Sequence, residues 1–409
     1  MNYEAAREDY RRLGVDTENA INALRAIPLS LNSWQLDDIG GWERPVKTAP
    51  GAWPGRPRTP DEMFSDLDLA VSLMPGRLRL NVHALQGVPL ASGRMDRDKL
   101  RFAHFRPWVD FAQKHGMGFD FNPSCFMHPL AAGGALCDVD PHVRRFWIRH
   151  AVATLRIADQ AARMLKSPVS WTFWTDAGRQ DEPSDRFGPR RRLMVSLDEV
   201  FQKANVDLSR VIVCLESQNW GVGKEYFAVG SQEFMSQYAA KHGFCCLLDM
   251  AHFNPMENVA DKISALMLFS EKVALHIARP VRHTCAHVSR LDDALRDVAR
   301  EVVRIGPDRF LLALDYGDAS MNRIAGLVQG ARNVQLALLE ALLMPQEHLA
   351  RLQDAGRTTE EFVLSETLKT LPLGAVYAEF CRREGKPSGA DWFKTVLDYE
   401  KNVQLKREG

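Results

Sequence analysis

At 409 residues, with 52 basic and 52 acidic side chains, the chain is formally neutral, 45% hydrophobic and 25% charged. That is an ordinary composition for a soluble globular protein with a large core, and it lacks the clustered basic excess of a nucleic-acid binder. No apolar run approaches the roughly 18 residues of a membrane span, and the charged opening MNYEAAREDYRRLG has no secretory h-region. Seven cysteines without a C-x-x-C pair predict reduced thiols in a cytoplasmic protein rather than a disulfide framework.

Taken in order, an N-terminal helix is followed by short β-type runs that alternate with longer helical stretches. The spacing predicts strands at 26–32, 78–84, 117–122, 168–174, 210–216, 244–249, 272–277 and 309–315. Helices are predicted between most of them, at 142–166, 190–205, 231–241, 257–271 and 290–304. In the first of these, Phe146, Ile148, Ala151, Val152 and Leu155 recur at helical period, with arginines on the other side. Residues 43–63 are rich in Pro and Gly and predict a long loop over the early strands. The tail from about 320 is helical throughout.

Eight strands alternating with helices predict an α/β fold, a closed parallel (β/α)8 TIM barrel, over residues 1–330. Residues 331–409 are expected to form a C-terminal helical extension packed on the barrel or at a subunit interface. A doubly wound open sheet is the alternative, but no G-x-G-x-x-G turn follows any early strand.

Four strand-like runs each end in a metal-type ligand: VIVCLE at Glu216, FCCLLD at Asp249, VALH at His276 and FLLALD at Asp315. They are spaced by about one strand-plus-helix repeat, so in a parallel barrel they would converge on one mouth. Any one of them alone is more often a salt-bridge or capping residue. Together, three carboxylates and an imidazole suit a hard or borderline dication such as Mn²⁺, Mg²⁺ or Zn²⁺. His252, in Asp249-Met-Ala-His252, adds a second imidazole on the same rim.

Over nearly its full length the chain resembles the L-rhamnose isomerase family. The resemblance rests on long motifs in one order: IPLSLNSWQLDD, LNVHAL, GFDFNPSCFMHP, VGSQEF, LLDMAHFNP, LHIARPVR, LDYGDASMNRIA and ARNVQLALLEALLMP. It implies a (β/α)8 barrel, usually tetrameric, that interconverts a 6-deoxy aldose and its ketose with two divalent metals, commonly Mn²⁺. It implies further that Glu216, Asp249, His276 and Asp315 are ligands of the first metal, and His252 a ligand of the second. His83, Trp34, Asn122 and Phe126 would line the sugar pocket.

The rim departs from that pattern. Where the family reads W-D-S-D-H, with both aspartates on the second metal, this chain has His283-Thr284-Cys285-Ala286-His287. Gln218 stands for a family lysine, Asn32 and Asn254 for pocket histidines, and Asp176-Ala177-Gly178-Arg179-Gln180-Asp181 for P-D-G-x-K-D. Five carboxylates with two dications leave the family site at a net charge of minus one. Three carboxylates with one dication leave the same charge here, so one metal is expected and a second is in doubt. A softer site using His283, Cys285 or His287 with His252 is the competing expectation.

One-metal ketose epimerases on the same barrel type use a similar ligand set with an Arg six residues after the second His, a position held here by Arg282. The expected function is therefore a metal-dependent sugar isomerase or epimerase with an altered substrate, in which Glu216, His252, Asp315 and Arg282 carry the chemistry. A rim bearing Arg179 and neutral groups would also admit a more anionic sugar. A one-metal lyase or hydrolase acting on a modified sugar, and a catalytically silent sugar-binding homologue, are the alternatives.

Overall fold

A computed structural model describes residues 2–38, 40–42, 53–90, 96–254, 256–281 and 284–408, of which 284–286 and 408 are described by their backbone alone. Its centre is a closed barrel of eight parallel strands: β1 (Leu29–Asn32), β2 (Leu78–His83), β3 (Gly118–Asn122), β4 (Val169–Phe173), β5 (Val211–Ser217), β6 (Cys245–Asp249), β7 (Val273–Ile277) and β8 (Phe310–Leu314). Each strand pairs with the next, and β8 returns to β1. All eight predicted strands are present, trimmed by one to three residues at some ends. The first is trimmed most: Ala26 still belongs to the helix Thr17–Ala26, and Pro28 has no N–H for the ladder, so pairing starts at Leu29.

Two-residue alternation explains why these runs close into a barrel. Leu31, Leu80, Val82, Phe119, Phe121, Trp171, Phe173, Val213 and Leu248 are fully or almost fully buried in the layer between strands and helices. The intervening residues face a shared interior. Around β5 to β7 the lower interior is apolar, with Cys214, Cys245, Leu247 and Ala274 packed together. Around β1 to β4 it is polar, with a hydrogen-bonded network centred on Asp120. Asp120 accepts from Ser30 Oγ at 2.7 Å, from Ser170 Oγ at 2.7 Å and from Arg79 through Nε at 2.8 Å and a second nitrogen at 2.9 Å. The same parity, carried up the strands, turns Glu216, Asp249 and His276 inward at the opposite end.

The predicted helix at 142–166 runs Pro141–Leu165, capped by Asp140, whose side chain accepts from the His142 N–H. Its expected apolar stripe is buried throughout. The helix predicted over 257–271 is shorter, Ala260–Met267, because Asn258 starts it with an Asx contact to Ala260 N, while Leu268 and Phe269 lie exposed beyond its end. Of the predicted loop 43–63, residues 43–52 lie outside the described residues, and a helix already begins at Pro60.

The tail forms helices Arg323–Leu342, Gln346–Asp354, Thr358–Lys369, Leu373–Arg383 and Asp391–Asn402. Buried ion pairs tie it to the N-terminal third. Arg323 pairs with Asp38, with Nε to Oδ1 at 3.0 Å, and Arg407 grips Asp66 with two contacts of 2.8 and 2.7 Å. No helix among the described residues is long and apolar enough to cross a membrane.

Candidate metal centre

Four inward-facing side chains meet at the C-terminal end of the barrel. Glu216 lies in β5, Asp249 ends β6, His276 lies in β7 next to Asp249 in register, and Asp315 directly follows β8. One ligand atom from each lies within 4.8 Å of all the others. Asp315 is positioned from both sides: its N–H reaches Ile277 O at 3.4 Å, and Asn32 Nδ2 donates to its Oδ1 at 3.3 Å. Asp249 Oδ1 accepts from Ala251 N at 2.6 Å, leaving Oδ2 toward the cluster.

The electrostatics of this cluster are those of a cation site. Burial and the neighbouring carboxylates of Glu216 and Asp315 push Asp249 up to about 7. Burial opposes ionisation of Glu216 as well, but His276 and His252 hold it down to about 2. His276 resists charging by burial, yet Glu216 and Asp315 raise it well above the ordinary imidazole value. Its Nδ1 lies 3.0 Å from Asp315 Oδ2 and 3.4 Å from Glu216 Oε1 without hydrogen-bond geometry to any described group. Three carboxylates and an imidazole brought this close, with His276 Nδ1 lacking hydrogen-bond geometry, fit a shared dication.

His252 stands beside the cluster. Its N–H reaches Asp249 O at 3.1 Å, and its Nδ1 is 3.1 Å from Glu216 Oε1. Trp174 stacks on its ring at a centroid distance of 5.8 Å. Above the cluster opens a cavity of about 280 Å³, close to the small end of the roughly 300–1,000 Å³ usual for ligand pockets. Glu216, Asp249, His252 and Asp315 border it on one side and Trp34, Asn122, Phe126 and Trp174 on the other. The aromatic wall is continuous, with Trp34 stacked on Phe126 at 5.4 Å and Phe126 edge-on to Trp174 at 5.1 Å.

Among the expected pocket residues, Trp34, Asn122 and Phe126 border the cavity, and His83 does not. It packs edge-on against Trp34 at 4.1 Å, with Nδ1 3.1 Å from Ser124 Oγ, and burial together with the positive charge of His276 holds it well below the usual imidazole range. Arg282 and His283 lie outside the described residues, as do the side chains of Thr284, Cys285 and Ala286. Their backbone is described only from Thr284, in a hairpin of Arg279–Val281 with Thr284–His287. His287 is engaged at 3.3 Å with Asp318, and Asn254 is exposed.

Three residues escaped the strand-end reasoning. Trp174 and Asp176 follow β4 and border the cavity. Lys224, from the loop after β5, is buried, with Nζ donating to Gln218 Oε1 at 2.7 Å and lying 4.7 Å from the Trp174 ring centre. A cation thus sits against Gln218 behind the cavity wall. Trp174 is not ionisable and Asp176 lies beyond the end of β4, so a pattern of ionisable strand-ending residues includes neither.

A closed parallel barrel carrying buried carboxylates and imidazoles at its C-terminal mouth defines a metal-type (β/α)8 enzyme scaffold. The model of the family described as L-rhamnose isomerase (RhaA) matches residues 1–407, and the chain belongs to that family. It is 40% identical to the L-rhamnose isomerase of Citrobacter koseri over 414 residues, covering 99% of this chain and 98% of that one. Against the L-rhamnose isomerase of Escherichia coli O6:H1 it is 40% identical over 416 residues, with the same coverage of 99% and 98%. Among solved structures, an L-ribulose 3-epimerase superposes with a TM-score of 0.49 at 14% identity, over 76% of this chain and 95% of that one. A D-tagatose 3-epimerase-like protein does so with a TM-score of 0.47 at 10% identity, over 76% and 97%.

Proposed function

We propose that the chain is an aldose–ketose isomerase that works with one divalent metal, Mn²⁺ first among the candidates, on a sugar other than the 6-deoxy aldose of its family. The observation that carries this reading is the convergence of Glu216, Asp249, His276 and Asp315 within 4.8 Å beneath a small aromatic-walled cavity. These four would hold the ion, which when bound supplies a Lewis acid for a carbonyl and its neighbouring hydroxyl. Glu216 then carries the proton between the two sugar carbons, and His252, 3.1 Å from its Oε1, orients it. Asp315, fixed by Asn32, anchors the substrate end, and the aromatic wall keeps water from the reacting carbons. Arg282, six residues after His276 in the sequence, is included among the residues proposed to carry the chemistry. A homotetramer in the cytoplasm belongs to the same proposal.

One metal equivalent per chain in purified protein, together with deuterium incorporated from solvent at the sugar's α-carbon, supports this reading. Two equivalents would remove the one-metal part of it. The second reading, a silent sugar-binding homologue, is favoured by Thr284 and Ala286 standing where the family carries aspartates. Metal and sugar binding with no isomerisation of any aldose would establish it.

A further inference from the structure

The cavity's polar groups are unevenly spread. The donor cluster belongs to the β5–β8 half of the mouth, and the β1–β4 half is walled by Trp34, Phe126 and Trp174, with Asn122, whose Oδ1 accepts from Ser124 N, between them. Into that aromatic wall one further carboxyl is set, Asp176, and its Oδ1 is buried with no hydrogen-bond partner among the described residues. Behind it, Gln218 Oε1 accepts from both Trp174 Nε1 at 3.2 Å and Lys224 Nζ at 2.7 Å, so wall and cation are braced as one unit. Burial lifts Asp176 above the ordinary carboxylate range while Lys224 opposes the lift. An unmet acceptor in an apolar wall is costly unless a donor is delivered to it. Rotation about the carboxyl's broad, two-fold χ2 can turn either oxygen toward the cavity.

A sugar anchored by its C1–C2 end in the β5–β8 half extends its far end toward the β1–β4 half. There a methyl group would gain nothing from the Asp176 carboxyl beside the aromatic rings and Asn122, whereas a hydroxyl would find it as an acceptor. Resting on the isomerase reading above, we infer that Asp176 determines specificity by accepting a hydrogen bond from the hydroxyl at the far end of the substrate. The substrate class is then a fully hydroxylated aldose rather than a 6-deoxy sugar.

L-Mannose and L-rhamnose differ only in the C6 hydroxyl and make the test pair. With Mn²⁺-loaded protein, kcat/KM for both sugars is measured in wild type, Asp176→Ala and Asp176→Asn, and binding is followed in parallel by quenching of tryptophan fluorescence. The wild type is expected to favour L-mannose by about 10- to 100-fold, the worth of one hydrogen bond to a charged group. In Asp176→Ala the ratio is expected to fall to within about threefold of unity. The near-isosteric Asp176→Asn, which carries the test if the alanine variant does not fold, is expected to lose a large part of the ratio. A wild-type ratio near one, or a ratio unchanged in the variants even if both sugars lose equally, overturns the inference and leaves Asp176 as a partner of Lys224. Discrimination in binding without turnover would keep the inference and sink only the isomerase reading. Neither sugar binding to the wild type would sink both.

Discussion

Replacing Asp249 with Asn separates a metal site from a merely structural carboxylate. In protein freed of metal by chelation, Asp249 titrates near 7, raised by burial and then by Glu216 and Asp315. The ordinary value in an unfolded chain is about 3.9. The folded state therefore binds the extra proton more tightly than the unfolded state, so this group stabilises the fold below about pH 4 and loses that contribution as pH rises through 7. A shift of roughly 3 units at 1.36 kcal/mol per unit amounts to about 4 kcal/mol lost by pH 8. That is a ceiling, because Glu216 and Asp315 share the repulsion. Asp249→Asn removes the charge with little change of shape. Without metal, the variant should be more stable than wild type at pH 8 by up to about 4 kcal/mol, and the gap should close by pH 4 to 5.

With metal the gap should close at pH 8 and reverse at pH 6, where less of the wild-type penalty has developed. The wild type gains about 4 kcal/mol at a free metal concentration a thousandfold above Kd, and the variant, lacking a ligand, gains much less. Urea midpoints at three pH values, with chelator and with Mn²⁺, give both comparisons. If Asp249→Asn is less stable than wild type at pH 8 in chelator, the cluster is not a cation site kept at a cost, and the reasoning fails.

Two other outcomes follow from packing. Asp120→Asn leaves the Arg79 guanidinium uncompensated on the barrel floor and should cost about 3–5 kcal/mol. Burial opposes the Asp120 charge, but Arg79 holds its carboxyl below the usual range, so the pair's contribution persists at neutral pH and is lost on acidification below about pH 4; an acid denaturation curve shifted upward in the variant checks this. Trp174→Ala removes the ring stacked on His252 and part of the cavity wall, and should raise KM about tenfold or more with metal content unchanged; lost metal instead would place Trp174 in support of the cluster.

The barrel was legible because its strands are short runs, alternating in β1 to β4 and mostly apolar in β5 to β8, which set them apart from the longer stretches of helical period. Glu216, Asp249, His276 and Asp315 were legible because a strand end in this fold has one place to go. What stayed hidden depends on pairings distant in sequence. Nothing local marks Lys224 as the partner of Gln218, since the loop must fold back before Nζ can reach it. Arg79 and Asp120 look like surface charges in sequence, and only the register of β2 against β3, with Ser30 and Ser170 on either side, makes them interior. His83 sits in a pocket motif, and its ring packs against Trp34 with Nδ1 near Ser124, one layer behind the residues that border the cavity.

The wired floor formed by Asp120, Arg79, Ser30 and Ser170 has a consequence for how such a chain can change over time. It secures β1 to β4 from the end opposite the chemistry, through hydrogen bonds that no rim substitution touches. Substitutions around the mouth leave these bonds in place, so the strands stay held together while rim residues change. The floor is a reserve of robustness, and the rim is where a new specificity can be tried out.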